Sequence, residues 1–369
     1  MAAPLLSISR RTRQTPFSAR VNESGVKAFT VYNHMLLPTV FDSLENDYHH
    51  LKSHVQIWDV ACERQVAITG PDAARLIQML TPRDLSNMVT GRCYYTPMVD
   101  ETGGMLNDPL AMKLADDRFW VSIADSDLLF WIKGLAYGMH LNVDVDEPEV
   151  APLAIQGPKA EELVARVFGD VVRYIRFFQY ETLPFEGRNM IVARTGYSKQ
   201  DGFEIYVDGN DMGEPVWDAF MAAGQDLNVK AGGPNLIERI EAGLLSYGND
   251  ITRDNTPHEC GLGRFCQTQE AFGCVGRDAL LRVAVEGPVR QIRSLTIDGD
   301  AVPPCTELWP LYGSGKLIGH ISSAAWSPDF KTNVAIGMVH ISHWNEGTHV
   351  EVEAPDGMRT ASVKEHSFV

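Results

Sequence analysis

The chain of 369 residues, 44% hydrophobic and 22% charged, has the composition of a soluble globular protein and the length for two or three domains of roughly 100 to 150 residues. It has no apolar run of about 18 residues, the minimum for a membrane span. Its net charge of −16 disfavours nucleic-acid binding, which needs a positive surface, and points instead to a small-molecule ligand.

In chain order, Arg10, Arg11 and Arg13 occur without the apolar core of a secretory signal, so a cytoplasmic protein is expected, with an organelle transit segment as the alternative. His49-His50 reads as a solvated pair on a helix. Helical spacing predicts helices over 71–80, 126–138, 158–168, 212–226 and 234–245, and period-two runs predict strands at Phe119 to Ala124, Met190 to Arg194 and Phe203 to Val207. Ile68-Thr69-Gly70-Pro71 echoes Ile155-Gln156-Gly157-Pro158, each closing a strand and opening a helix; this suits either two related subdomains or a common local solution used twice. From about residue 285 the texture becomes short strands, Gln291 to Ile297, Lys316 to Ser323, Asn333 to Val339 and Thr348 to Val352, separated by turns, so an all-β domain closes the sequence.

Several chemistries are absent. Gly261-Leu262-Gly263-Arg264-Phe265-Cys266 breaks the GxGxxG pattern at its last position, and GxxxxGK[ST], HExxH and GxSxG do not occur. The eleven histidines are dispersed and the six cysteines lack a CxxC pair, so no metal site is expected and the cysteines read as reduced thiols. Two stretches remain. Cys93-Tyr94-Tyr95-Thr96-Pro97 leads through Gly103-Gly104 to Asn107-Asp108-Pro109, a hairpin pattern with Asp108 at the start of the returning strand, either free to meet a ligand nitrogen or capping its own turn. After Phe119 to Ala124, Asp125-Ser126-Asp127 reads as a helix N-cap. In Arg194 to Val207, alternation sets Glu204 and Tyr206 on one face of a strand, opposite Phe203, Ile205 and Val207. A carboxylate there can accept paired hydrogen bonds from an amino-pyrimidinone edge; the plainer alternative is a face turned to water.

Taken together these segments resemble the folate-dependent aminomethyltransferase superfamily, the T-protein of glycine cleavage and its relatives, over nearly the whole chain. The resemblance rests on Tyr95, Thr96, Gly103, Gly104 and Asp108; on Arg194 to Tyr206; on Ile240 to Ile251; on Asn255-Thr256-Pro257 with Gly261-Leu262; and on Ser322 to Pro328 with Asn333 to Gly337. Within it, Thr30 to Pro38, Trp58 to Val66, Asn107-Asp108-Pro109 and Ser122 to Asp127 are most similar to the tetrahydrofolate-dependent dimethylsulfoniopropionate demethylases. Asn107-Asp108-Pro109 stands where a T-protein has Asp-Asp-Leu, and a T-protein would also show, near the position of Asn235, an Arg to hold the folate tail. Gly196-Tyr197 departs from the Gly-Trp of the demethylases.

The resemblance implies an α+β fold, a three-domain cloverleaf of two related subdomains and a C-terminal β barrel. The domains would be 1–50 with 150–250, 51–149, a connecting segment 251–284, and 285–369. It implies methyl transfer from a small sulfonium to tetrahydrofolate, with no nucleic-acid or membrane partner and a homodimer as the compatible assembly. By the same analogy Glu204 clamps the pterin, Tyr95 packs beside the folate and Asp108 orients or deprotonates the folate amine. Ser122 and Tyr32-Asn33-His34 supply pocket polarity, and Tyr197 and Tyr206 contact the onium. The main alternatives are another onium or amine donor, or an aminomethyltransferase proper. Iron–sulfur assembly relatives carry a KGCYxGQ motif that is absent here, and the flavin-linked demethylases carry a dinucleotide domain this chain lacks.

Overall fold

The computed structural model describes residues 7–267, 273–364 and 367–369. Chain contacts divide them into two compact units, one formed by the described residues up to Gln65 with Glu149–Gly196 and Gln200–Pro234, the other by Val66–Pro148, Tyr197–Lys199 and the described residues from Asn235 onward. Among the described residues no helix is long and apolar enough to cross a membrane.

The first unit is built on a six-stranded sheet in the order Tyr180–Phe185, Arg188–Ala193, Gly202–Asp208, Val150–Gln156, Val55–Asp59, Val229–Gly232. Its pairs are antiparallel except the last, which is parallel. Helices Ala160–Phe168 and Gly213–Ala223 cover one face, where Phe203, Ile205 and Val207 pack with Leu153, Ile155 and Phe220. On the other face Trp58 and Ala154 pack with Met35 and Leu37 of the Ala28–Tyr32/Met35–Val40 hairpin. The Gly202–Asp208 strand is therefore central and buried on both sides, so Glu204 and Tyr206 do not face water, being 5% and 1% exposed.

The Gly-Pro echo is structural. Gly70 and Gly157 both take positive φ, 137° and 126°, and a Cβ would lie 2.6 Å from Asn142 O at the first and 2.4 Å from His54 O at the second. At both positions the chain turns from strand to helix against another backbone, and only glycine fits.

The helix Leu44–Ser53, capped by Ser43 accepting from the Asn46 N–H, corrects the reading of His49-His50 as a solvated pair. His49 is exposed, but His50 lies on the buried stripe with Tyr48 and Leu51, and its Nε2 donates to Asn228 O at 2.9 Å. Consecutive helical positions point about 100° apart, so two adjacent histidines cannot share one environment. Burial holds the His50 imidazole neutral, with its pKa lowered to about 4.

The Val55–Asp59 strand ends in a second buried ionisable group. Asp59, 3% exposed, accepts from the Thr15 hydroxyl at 2.5 Å and the Ala61 N–H at 3.1 Å, while Thr15 N–H donates to Ser18 Oγ at 2.9 Å. This carboxyl thereby anchors the segment leading into the Ser18–Glu23 helix. Burial raises its pKa to about 6. The folded chain thus holds this proton more tightly than the unfolded one, whose aspartate titrates near 3.9; the resulting stabilisation is complete below about pH 4 and is lost as pH rises through 6. Asp59→Asn, which cannot ionise, is expected to unfold with roughly 2–3 kcal/mol more stability than the parent at pH 8, the difference vanishing near pH 4. Calorimetric melting of both proteins across that range checks it.

In the second unit a five-stranded sheet runs Asp144–Asp146, Gln65–Thr69, Arg118–Ser122, Leu110–Ala115, Cys93–Tyr95, with helices Ala73–Met79 and Leu128–Gly138 sharing its core. The hairpin Met98–Val99/Met105–Asn107 turns through Gly103-Gly104, with Asp100 Oδ1 accepting from the Thr102 and Gly104 N–H groups. From Arg290 onward the strands close into a six-stranded barrel around Trp309, Leu311 and Ile321. Trp309–Gly313 and Gly357–Lys364, outside the strands predicted from the sequence, complete the barrel. Closure leaves no sheet edge unpaired.

Asp125-Ser126-Asp127 does not cap its helix, since Asp127 at the cap position makes no side-chain cap bond. Ser126 Oγ instead accepts from Asn107 Nδ2 at 2.7 Å, and Asn107 Oδ1 accepts from the Ala124 N–H at 2.9 Å.

Candidate active site

The expected site residues fall into two groups, one in each unit. In the first, Glu204 sits in a row across the sheet with Ala193 on one side and Ala154 and Trp58 on the other, an apolar setting for a carboxylate. Two hydroxyls reach it: Thr195 Oγ1 donates to Oε2 at 2.5 Å, and the Tyr206 phenol donates as well. Burial raises the pKa of Glu204, and these donors hold it down. Thr195 belongs to the turn after Arg188–Ala193, which Arg194 secures through ion pairs to Asp201 and, at 2.9 Å, Glu161. Gln156 reaches in from the neighbouring strand and donates to Thr195 O at 3.1 Å. Its amide lies between Gly196 and Gly202, where a Cβ would come within 2.1 and 2.3 Å of it. The same unit holds Asn33, which donates to Cys62 O at 2.9 Å; Asn33 and His34 both have positive φ at the hairpin turn.

In the second unit Tyr95 and Asp108 meet. The phenol donates to Asp108 Oδ2 at 2.7 Å, and the ring stacks edge-on against Phe265 at 5.5 Å. Asp108 lies past the end of Met105–Asn107 rather than at the start of a strand, and it is more than a turn cap because its carboxylate serves Tyr95. Part of the side chain reaches solvent, yet burial, reinforced by the charge of Asp250, pushes its pKa to about 7. Tyr95 is driven well above its ordinary value by burial and by Asp108. Ser122, buried, pairs across the sheet with Leu110, whose other partner is Tyr95, so Ser122 and Tyr95 share one face.

The Tyr197 hydroxyl donates to Leu244 O at 3.1 Å and Leu245 O at 2.9 Å, so the ring is the part placed to meet a ligand. It also lies beside Arg239, which pairs with Asp250 at 2.8 Å and donates to Ser323 Oγ at 2.7 Å. Ser322 and Ser323 both donate to Asp250 Oδ1, at 2.7 and 2.6 Å. Sequence reasoning missed this network, along with Tyr247 and Cys260. Tyr247, which donates to Met105 O at 2.9 Å, is raised to about 12 by burial and then by Asp108; Asp108 also acts on Cys260, buried in the same apolar cluster as Met105 and partly buried Tyr95. Tyr247 and Asp250 stand within the Ile240 to Ile251 block, and their spacing around Gly248 was the available signal.

Residues 17–270 match the GCVT N-terminal domain family and residues 290–369 match the glycine cleavage T-protein C-terminal barrel domain. The chain is 59% identical, over 97% of both proteins, to dimethylsulfoniopropionate demethylase DmdA of Ruegeria pomeroyi. It is 29% identical to an aminomethyltransferase of Clostridium botulinum, over 92% of each. The glycine cleavage system aminomethyltransferase T of Bartonella henselae superposes with a TM-score of 0.86 at 25% identity, covering 97% of this chain and 98% of that one. Two ordered α+β sheets, a closed C-terminal barrel and matches to both domain families along the chain make it a member of the glycine cleavage T-protein family.

Proposed function

We propose that this protein is a tetrahydrofolate-dependent methyltransferase that demethylates dimethylsulfoniopropionate, giving 3-(methylthio)propionate and 5-methyltetrahydrofolate. The observation that carries the reading is the 59% identity to the demethylase over 97% of both chains, twice that to the aminomethyltransferase. The donor set fits the folate. Glu204 is a buried acceptor in an apolar row, suited to the paired N–H groups of an amino-pyrimidinone.

Tetrahydrofolate supplies the nucleophilic nitrogen that receives the methyl group. The chain's residues align and deprotonate. Glu204 fixes the pterin edge, and the Tyr95 ring, held by its bond to Asp108, offers a flat wall. The sulfonium is already an activated donor, so alignment of sulfur, carbon and nitrogen is the main demand, and proximity of this kind can contribute roughly 7–11 kcal/mol. Asp108, with a pKa of about 7, takes up the proton displaced by methylation at the oxygen not bonded to Tyr95. The resemblance assigns the Tyr206 ring, and separately the Tyr197 ring, to contact with the onium by cation–π attraction. Ser122 adds a pocket hydroxyl.

Anaerobic incubation with tetrahydrofolate and dimethylsulfoniopropionate should yield 5-methyltetrahydrofolate and the thioether acid in equal amounts. Folate binding without either product would reject this donor, and turnover that required a lipoylated carrier protein would favour the aminomethyltransferase reading.

A further inference from the structure

We infer that Thr195 is a positioning residue for folate binding: its hydroxyl fixes which oxygen of Glu204 faces the pterin and keeps that carboxylate a pure acceptor. The inference rests on the reading of Glu204 as the pterin clamp. A carboxylate has about four lone-pair sites and three flexible torsions behind it. Buried among Ala193, Ala154 and Trp58, it has no charged partner across the sheet to choose its rotamer; its titratable neighbour is Tyr206 on the same strand. The 2.5 Å bond from Thr195 Oγ1 engages Oε2, and with Tyr206 also donating the carboxylate is held by two hydroxyls while lone pairs remain for a bidentate contact.

Thr195 is itself held. It is 3% exposed, its carbonyl accepts from Gln156 Nε2, and that amide lies between Gly196 and Gly202, occupying the space a Cβ at either would enter. The hydroxyl is thus presented from a fixed frame, as accurate placement of a binding carboxylate requires. A hydroxyl that donates to a carboxylate favours its ionised form, opposing the effect of burial. Losing it would leave Tyr206 as the one hydroxyl holding the side chain and would make Glu204 easier to protonate, and a protonated carboxyl opposes the pterin N–H groups with a donor.

The test compares Thr195→Val, isosteric but without the hydroxyl, with Thr195→Ser, which keeps the hydroxyl and drops a methyl. The readouts are tetrahydrofolate Kd by calorimetry from pH 6 to 9 without sulfonium, and the KM of each substrate. The valine variant is expected to raise the folate Kd and KM about tenfold, to lose folate binding at a higher pH than the parent, and to leave the sulfonium KM unchanged. The serine variant is expected to stay close to the parent. Equal weakening in Val and Ser, or parental binding by Val while Glu204→Gln has lost it, overturns the role of Thr195. Parental binding by both Val and Glu204→Gln overturns the clamp itself.

Discussion

Glu204→Gln is expected to lower kcat/KM for tetrahydrofolate by roughly 100-fold or more, about 3 kcal/mol, while the protein stays folded. The carboxylate accepts from Thr195 and Tyr206 and keeps acceptor capacity for a ligand. Glutamine has a single acceptor oxygen, which the two hydroxyls attract, turning the amide N–H₂ toward the pterin donors. A site built to accept hydrogen bonds discriminates strongly when it must present a donor, because both buried partners are left unpaired. Stability should change little or improve, since the buried carboxylate no longer has to be desolvated. Steady-state kinetics with each substrate varied in turn, alongside a thermal melt, checks both parts. In the parent, folate affinity should fall as the solution is acidified, because the raised pKa of Glu204 brings its protonation closer to neutral pH.

Arg239→Met should strongly destabilise the second unit. Its guanidinium is the counter-charge of Asp250, whose side chain has no solvent exposure, and it also donates to Leu244 O at 3.3 Å. Removing one member of such a pair leaves a buried charge uncompensated, at a cost of about 3–5 kcal/mol. Ser322, Ser323 and the Ser246 N–H would still donate to Asp250, so the lower half of that range is expected. Asp250→Asn combined with Arg239→Met should recover much of the loss, since the asparagine removes the uncompensated charge and its amide oxygen still accepts from the donors that Asp250 held. Calorimetry of the three chains measures this. The Arg239 single variant should also release Tyr197 and raise the KM of the sulfonium.

The family and the fold class could be read from ordered motifs because each motif marks a place where backbone geometry restricts the residue. Gly70 and Gly157 read correctly as strand-to-helix turns for this reason. Period-two alternation in Phe203 to Val207 identified the two faces of a strand, but alternation cannot say what covers the polar face. Here that depends on the hairpin Ala28–Tyr32/Met35–Val40, far away in sequence. His50 was misjudged on the same ground, since its burial is set by Asn228. Tyr95 and Asp108 were each named, yet their bond spans thirteen residues and no local pattern encodes it. Thr195 and Asp250 lay inside recognised motifs without a role, because a residue that acts by holding another is visible only once both are placed.

The amide of Gln156 between two glycines has a consequence for how this turn can diverge. A methyl group at either glycine would come within 2.1 or 2.3 Å of this amide, so the glutamine side chain would have to swing away to admit it. Shortening the glutamine would make room, but it would also remove the donor to Thr195 O. The three positions are therefore coupled, a change at either glycine displacing the amide that donates to Thr195 O, and accepted change around them should collect in the intervening residues Ser198, Lys199 and Gln200, where a mutational scan would find more tolerance than at either glycine.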